Sequence, residues 1–136
     1  MIEVNSYAEL RTTVPAKNGD LAFLRRYNAD STFHGGGDFT GFIGTTTAVE
    51  DGGTLVIGNG FYWKRVINDP SEINVYHFGA KGDGYANDTD AFNRMLAWTQ
   101  NYSGNITALP VRFPGGKFLI SPIDISGTER AFFGLQ

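Results

Sequence analysis

The spacing of hydrophobic and polar positions changes several times along the chain, and most segments of the first half predict short strands. Residues 21–27 are largely apolar and predict a strand, and residues 39–43 predict another. Residues 55–57 and 61–66 flank the sequence Gly58-Asn59-Gly60. Because glycine adopts positive φ without steric cost, this arrangement predicts a β-hairpin.

Alternation along the second arm of this hairpin divides its side chains between two faces. One face carries Phe61, Trp63 and Arg65, and the other carries Tyr62, Lys64 and Val66. Phe61, Tyr62 and Trp63 form the largest aromatic cluster of the chain. Exposed aromatic rings stack on sugars and anchor protein interfaces, so these three residues are candidates for an interface or a sugar contact. A core position for Trp63 is the alternative.

Polar segments between the apolar ones predict turns and a first helix. Gly35 to Gly37 predicts a loop, and Asp51-Gly52-Gly53 predicts a turn. Ser6 and Glu9 have the spacing of a capping box. Since proline disrupts a helix interior, Pro15 should end this helix after about two turns.

The second half begins with the polar segment 68–72, which contains Pro70 and predicts a domain boundary. Residues 73–78 predict a strand, and Gly79 to Asp88 predicts a region of turns. Further short strands are expected at 111–113, 117–120 and 123–125.

A second helix is expected from Thr89 onward. Its apolar side chains recur at helical spacing, as Phe92, Met95, Leu96 and Thr99. Asn87, Asp88 or Thr89 can cap its first turn. The sequence therefore predicts an amphipathic helix that covers apolar surface.

Composition narrows the class of protein. The chain has 136 residues, 18 glycines and 14% aromatic residues, which favours a mainly β fold rich in turns. The net charge of −3 comes without a basic stripe, which argues against nucleic-acid binding. Without cysteine there are no disulfides, and we expect synthesis in a reducing cytosol. No apolar run is long enough for membrane insertion.

The acidic residues and histidines do not form a recognisable metal-binding or catalytic motif. Asp83, Asp88 and Asp90 suggest a calcium loop, but the twelfth residue from Asp83 is Arg94, where an EF-hand needs glutamate. A carboxylate pair of the glycosidase type is a further alternative. We expect capping and turn roles for these acids, and no catalytic, metal or cofactor-binding residue. His77 is expected to be structural. His34 is expected to be solvated, with lining a trimer axis or holding an ion as the alternatives.

Two stretches of sequence resemble known families. Residues 75–84, Val-Tyr-His-Phe-Gly-Ala-Lys-Gly-Asp-Gly, followed by Asn87-Asp88-Thr89-Asp90-Ala91-Phe92, resemble the opening of the pectate-lyase-like right-handed β-helix superfamily. The resemblance rests on Phe78, Gly79, Gly82, Asp83, Gly84, Asp88 and Thr89 as structural motif residues. It implies a helix that covers the first coil, with residues 112–121 as the first rung. It implies nothing about the reaction.

The first half resembles the module that precedes the β-helix in phage tailspikes and polysaccharide depolymerases. The matching elements are Gly19-Asp20, Gly35 to Asp38, Asp51 to Thr54, and Trp63-Lys64-Arg65. This resemblance implies a virion-attachment or neck module, usually trimeric, that is made in the host cytoplasm and located in the virion tail.

These expectations combine into one prediction. Residues 1–67 form a β-rich attachment module, 68–72 a linker, and 73–136 the capping helix and first coils of a parallel β-helix. Such a coil cannot bury its own faces, so we expect a truncated piece of a longer spike. The predicted partners are two further copies of the chain, a tail or baseplate protein, and bacterial surface polysaccharide bound beyond Gln136. The alternatives are part of a depolymerase with its active site beyond this chain, or a small carbohydrate-binding module.

Overall fold

The computed structural model describes residues 1–29, 34–103 and 114–120, and its first half contains a five-stranded sheet. The strands are β1 (Ile2–Val4), β2 (Leu21–Leu24), β3 (Gly37–Ile43), β4 (Leu55–Ile57) and β5 (Phe61–Arg65). Their spatial order is β1-β2-β3-β5-β4, with β1 parallel to β2 and the other pairs antiparallel. The predicted hairpin is confirmed as the antiparallel pair of β4 and β5.

One face of the sheet packs against the short helix α1 (Tyr7–Leu10) and forms the first core. The buried residues of this core are Val4, Tyr7, Leu10, Ala22, Leu24, Phe39, Val56, Phe61 and Trp63. Gly41 lies opposite Trp63, and a Cβ atom there would come within 2.8 Å of the indole ring. The Trp63 Nε1–H donates to the Thr13 carbonyl at 2.7 Å, so the buried ring keeps a hydrogen bond.

Helix α1 is shorter than predicted. Ser6 Oγ accepts the Glu9 N–H at 3.0 Å, and Glu9 Oε2 accepts the Asn5 N–H at 2.7 Å, one residue before the box partner expected. The hydroxyls of Thr12 and Thr13 then donate to the Glu9 carbonyl. Side-chain bonds to this carbonyl accompany the end of the helix, so the chain leaves α1 after one turn and before Pro15.

Strand β2 is also shorter than the predicted 21–27 segment. The Tyr27 N–H donates to the His34 carbonyl, and the Tyr27 carbonyl accepts from the Tyr7 N–H, both at 2.9 Å. These bonds connect Tyr27 to α1 and to the glycine-rich loop instead of to β3. The strand therefore ends at Leu24.

The strand predicted for residues 73–78 is wrong. A 3₁₀ helix spans Pro70–Glu72, and a second spans Val75–Phe78. Asn74 begins the second helix, because its side chain accepts the Tyr76 N–H at 2.9 Å while His77 Nδ1 accepts the Asn74 N–H at 3.0 Å. Gly79, at φ +102°, ends it. The reciprocal cap favours a helix where the apolar spacing alone favoured a strand.

The second half contains the helix α2 (Thr89–Ser103) and a parallel strand pair. The predicted buried face of α2 is confirmed, since Phe92, Met95, Leu96 and Thr99 are all buried. Strand β6 (Asp83–Asn87) pairs with β7 (Lys117–Leu119). Strand β6 lies where only turns were predicted, and β7 confirms the strand expected at 117–120. The strands predicted at 111–113 and 123–125 lie outside the described residues.

A second core joins α2 to the segment before it. It contains Ile73, Val75, Tyr76, Phe78, Ala80, Ala91, Phe92, Met95 and Trp98, flanked by Ile67, Phe118 and Ile120. The chain is thus mainly β with little helix, as predicted. Over the described ranges, no helix combines the length and apolar character needed to cross a membrane.

Candidate functional site at the junction of the two cores

A buried arginine holds together the loops at one end of the sheet. Arg65 is 7% exposed, and its guanidinium donates to the carbonyls of Gly53 (2.9 Å), Gly36 (2.6 Å) and Gly35 (3.1 Å). It also lies 4.6 Å from the centre of the Phe39 ring. Burial lowers the pKa of Arg65 to about 10, so the side chain stays charged at neutral pH. Three carbonyls and an aromatic face thus replace its water shell.

The Asp51 turn presents its backbone to the second core. The Asp51 carboxylate accepts the N–H groups of Gly53, Thr54 and Leu55 at 2.7–3.1 Å, and it also accepts the Thr54 hydroxyl. With its oxygens directed at this turn, Asp51 fixes the carbonyl of Gly52 in place. The Tyr27 hydroxyl donates to that carbonyl at 2.7 Å.

Close contacts then cross from the sheet to the second core. A Cβ atom on Gly53 would come within 2.4 Å of the Phe78 ring, and one on Gly52 within 2.4 Å of Arg94 Cδ. Both positions therefore require glycine in this packing. Arg94 donates to the Phe78 carbonyl at 2.5 Å, and Asn28 Nδ2 donates to the Gly79 carbonyl at 3.0 Å.

The histidines take part in the same junction. The His34 ring stacks on Tyr76 with centroids 4.0 Å apart. His77 belongs to the 3₁₀ cap, and burial, followed by the charge of Arg65, lowers its pKa to about 4. His77 is therefore neutral at physiological pH, with Nδ1 as a hydrogen-bond acceptor and the proton on Nε2.

The predicted motif residues lie around one turn. Phe78 is fully buried and Gly79 ends the 3₁₀ helix. Gly82 and Gly84 adopt φ +65° and +80°, and Asp83 accepts the N–H groups of Tyr85 and Ala86. Hydrogen bonds from these N–H groups lower the pKa of Asp83.

At the start of α2, the side chain of Asn87 bonds the first helical residue, Thr89, and the side chain of Asp88 bonds the preceding turn. Asn87 Oδ1 accepts from the Thr89 N–H at 3.0 Å and also from the Thr89 hydroxyl. Buried Asp88 instead accepts the N–H groups of Lys81 and Gly82, at 2.9 and 3.1 Å. Only the Asp88 carbonyl serves the helix, through the Phe92 N–H. Its carboxylate fixes the preceding turn, whereas the sequence suggested a helix cap.

The aromatic cluster divides between core and surface. Phe61 and Trp63 are 4% and 0% exposed, so neither offers a ring to a sugar or a partner. Tyr62 is on the opposite face of β5, half-buried and stacked on Phe42 with centroids 5.1 Å apart. Trp63 is therefore a core residue, as the alternative prediction stated. Of the three aromatic residues, only Tyr62 remains a candidate for an interface or sugar contact.

An open cleft of about 900 Å³ separates α1 from α2, and we name it the junction cleft. Ser6, Tyr7, Ala8, Arg11, Tyr27, Asn28, Ala29, Val49, Glu50, Asp51, Gly52, Arg94, Ala97 and Trp98 line it. At its rim Arg11 and Glu50 form an ion pair with a 2.6 Å N–O distance. Burial raises the pKa of the Tyr27 hydroxyl. The positive charges of Arg94 and Arg11 lower it and so offset part of this effect.

Sequence reasoning missed the roles of Arg65, Arg94 and the cleft. Alternation did place Arg65 on the same face as Phe61 and Trp63, which was a signal that this arginine points inward. Nothing in the local sequence related Arg94 to Gly52. Among the described residues, no three metal-ligating side chains come together.

In comparison with known proteins, each half of the chain matches a protein-family model. Residues 3–69 match the family model of the phage tail protein small four-stranded beta-sheet domain. Residues 72–131 match the rhamnogalacturonase A/epimerase, pectate lyase-like family. The first half of the chain is therefore similar to a phage tail β-sheet domain, and the second half to a pectate lyase-like family.

Three proteins are similar to this chain over most of its length. Amylovoran biosynthesis protein AmsF of Erwinia amylovora is 37% identical over 98% of this chain and 17% of AmsF. The structure of Pantoea stewartii WceF, a glycan biofilm modifying enzyme with a tailspike-like parallel β-helix fold, gives a TM-score of 0.74 at 32% identity. That match covers 85% of this chain and 16% of WceF.

Tailspike protein 2 of bacteriophage CBA120, in the structure of its enzymatically active domain, gives a TM-score of 0.63 at 33% identity. The match covers 71% of this chain and 14% of the tailspike chain. The present chain is similar to these tailspike-like proteins over most of its own length, and it spans about a sixth of the length of the relatives it matches.

Proposed function

We propose that this chain is a non-catalytic connector that fixes the β-helix of a glycan-directed spike to an attachment module. Residues 1–67 form the attachment module, 68–72 the linker, and 73–136 the start of the β-helix, whose first coil α2 covers. The module binds a tail or baseplate protein, and the spike belongs to the virion tail.

The observation that carries this proposal is the packing across the linker. Asn28 donates to the Gly79 carbonyl, and Tyr27 packs against Gly79. The Asp51 turn packs against Phe78 and Arg94. This hydrogen bond and the close packing across residues 68–72 leave little freedom for a swivel. A connector that holds a long β-helix in a fixed direction needs this kind of joint.

The state of the acidic residues supports a non-catalytic role. In Asp51 and in Asp88, both carboxylate oxygens accept backbone N–H or hydroxyl groups of a turn. A general acid or nucleophile must keep an oxygen available to the substrate. Release of reducing ends from bacterial surface polysaccharide by this chain alone would contradict the proposal.

The outer face of the sheet supports assembly with further copies of the chain. This face, opposite the core, carries Leu21, Phe23, Phe42, Ile57 and Tyr62. Leu21 and Phe23 are 44% and 38% exposed. These apolar side chains share the face with Asp38, Thr40 and Lys64, and exposed apolar surface bordered by polar residues marks protein interfaces. We propose that three copies meet through this outer face.

The solution mass tests the assembly. We expect about 45 kDa by light scattering, three times the chain mass of 14.9 kDa, and a shift towards the monomer in Tyr62→Glu, which places a charge on the outer face. Val14→Glu is the matched control, because Val14 is 62% exposed but lies outside the sheet. A monomeric wild-type protein, or trimers of equal stability in both variants, would contradict this assembly.

For the whole protein we propose action on bacterial surface polysaccharide. WceF is a glycan biofilm modifying enzyme and the CBA120 tailspike structure contains an enzymatically active domain. The similarity to AmsF supports a second candidate, a bacterial protein that acts on its own exopolysaccharide. Detection of the protein in purified virions favours the tailspike, and its presence only in bacterial envelope fractions favours the second candidate.

A further inference from the structure

The junction cleft has the size and position of a binding site. Its volume of about 900 Å³ falls within the range of small-molecule sites, roughly 300–1,000 Å³. It lies between the sheet and α2, and such boundaries are preferred places for ligand binding.

The polar groups at the rim are held in a fixed geometry. Glu50 Oε1 accepts the Ile57 N–H at 2.8 Å, while Glu50 Oε2 accepts from Arg11 at 2.6 Å. The Arg11 guanidinium also lies 5.8 Å from the centre of the Tyr7 ring. The Arg11 and Glu50 side chains nevertheless remain 42% and 30% exposed. A guanidinium and a carboxylate fixed side by side offer donors and acceptors to adjacent hydroxyl groups.

Small apolar side chains form part of the remaining walls, beside polar groups such as Ser6 and Asn28. Ala8, Val49 and Ala97 line the cleft and are exposed. The two arginines and two acids of the lining balance in formal charge. A cleft with balanced charge, fixed donors and acceptors, and small apolar side chains suits a hydroxyl-rich ring with an apolar face.

We propose that the junction cleft binds a short oligosaccharide, with Arg11 and Glu50 as its hydroxyl-binding residues. The choice of a sugar rests on the proposed glycan-directed function. The site would retain polysaccharide at the base of the spike. It is separate from the aromatic cluster of Phe61, Tyr62 and Trp63, none of which lines the cleft.

Binding to an array of neutral and acidic oligosaccharides from bacterial capsules and exopolysaccharides tests the proposal. The wild-type chain should bind at least one of them, with the affinity then measured by titration calorimetry. Arg11→Ala removes a charged hydrogen-bonding group and should weaken that binding about tenfold or more. Ala97→Trp fills the cleft from the exposed side of α2 and should weaken it similarly.

Arg25→Ala is the matched control. Arg25 forms an ion pair with Glu3, also at 2.6 Å, but neither residue lines the junction cleft. This variant should keep the wild-type affinity within about twofold. Absence of any binding glycan overturns the proposal, as does binding that neither cleft variant weakens or that Arg25→Ala weakens equally. The mass of the same samples reports on assembly independently, so failure of the sugar site is separable from failure of the connector.

Discussion

Arg65 shows how one side chain can organise a segment with few apolar residues of its own. The carbonyls of Gly35, Gly36 and Gly53 belong to two separate loops, and the Arg65 guanidinium connects them. A planar guanidinium has five donors spread over three nitrogens in a fixed arrangement, whereas a lysine has three donors on a single nitrogen. The glycine-rich stretch therefore owes its shape to a residue about thirty positions later.

Substitution of Arg65 should be costly. Arg65→Met keeps the length of the side chain but leaves three carbonyls without their donor, and we expect a loss of about 2–4 kcal/mol in the free energy of unfolding. Chemical denaturation followed by circular dichroism measures this loss. Lys17→Met, at an exposed position outside the sheet, should change stability by less than about 0.5 kcal/mol. Equal effects of the two substitutions would show that the carbonyl bonds contribute little.

Elements were predictable where a spacing repeats and less so where side chains decide the backbone. The β4–β5 hairpin and the buried face of α2 follow from periodicity and glycine turns. The 3₁₀ helix at Val75–Phe78 depends on two side-chain bonds between Asn74 and His77. Strand β6 depends on a partner about thirty residues away. Neither dependence is visible in a local window of sequence.

The 3₁₀ cap should make stability depend on pH. The pKa of His77 is about 4 in the folded chain and about 6.5 when unfolded, so between these values the unfolded chain binds more protons. Stability should therefore fall as the pH decreases from 6.5 to 4, by about 2–3 kcal/mol. Above about pH 7.5 this group contributes almost no pH dependence.

The variant His77→Gln isolates this effect. Glutamine can still accept the Asn74 N–H in a capping box but does not titrate. Carboxylates contribute equally to the pH dependence of stability in the wild-type protein and in His77→Gln, so subtracting one profile from the other removes their contribution. The loss of stability due to His77 should appear only in the wild-type protein. Parallel profiles from pH 7 to pH 4 would contradict a buried neutral His77.

At the scale of the whole molecule, the sequence predicted two parts but not the joint between them. Residues 68–72 were expected to form a linker because they are polar and contain Pro70. The contacts of Gly52 and Gly53 with Arg94 and Phe78 join positions that sequence alone gives no reason to pair. The same holds for the junction cleft, whose walls come from four separated segments.

The joint should make both cores unfold together. The two tryptophans report on them separately, since Trp63 lies in the first core and Trp98 in the second. In each single Trp→Phe variant, the midpoint reported by the remaining tryptophan should coincide with the midpoint that circular dichroism gives for the same variant. Gly53→Ala, which places a methyl group against the Phe78 ring, should separate the two midpoints.

Gly115→Ala is the control for this experiment, because a Cβ atom at Gly115 would meet nothing within 4 Å. Its two midpoints should coincide. Separate midpoints in the wild-type background would show that the cores unfold independently.

The glycine contacts of the Asp51 turn have a consequence for exchange of modules between related spikes. Recombination within residues 68–72 would take Gly52 and Gly53 from one parent and their contact residues, Arg94 and Phe78, from the other. A different residue at either contact position would then face the glycines. Viable chimaeras should then inherit the turn and the start of α2 from one parent, or carry glycine and arginine at matching positions in both. The breakpoint that looks most permissive in the sequence is thus constrained by two glycines upstream of it.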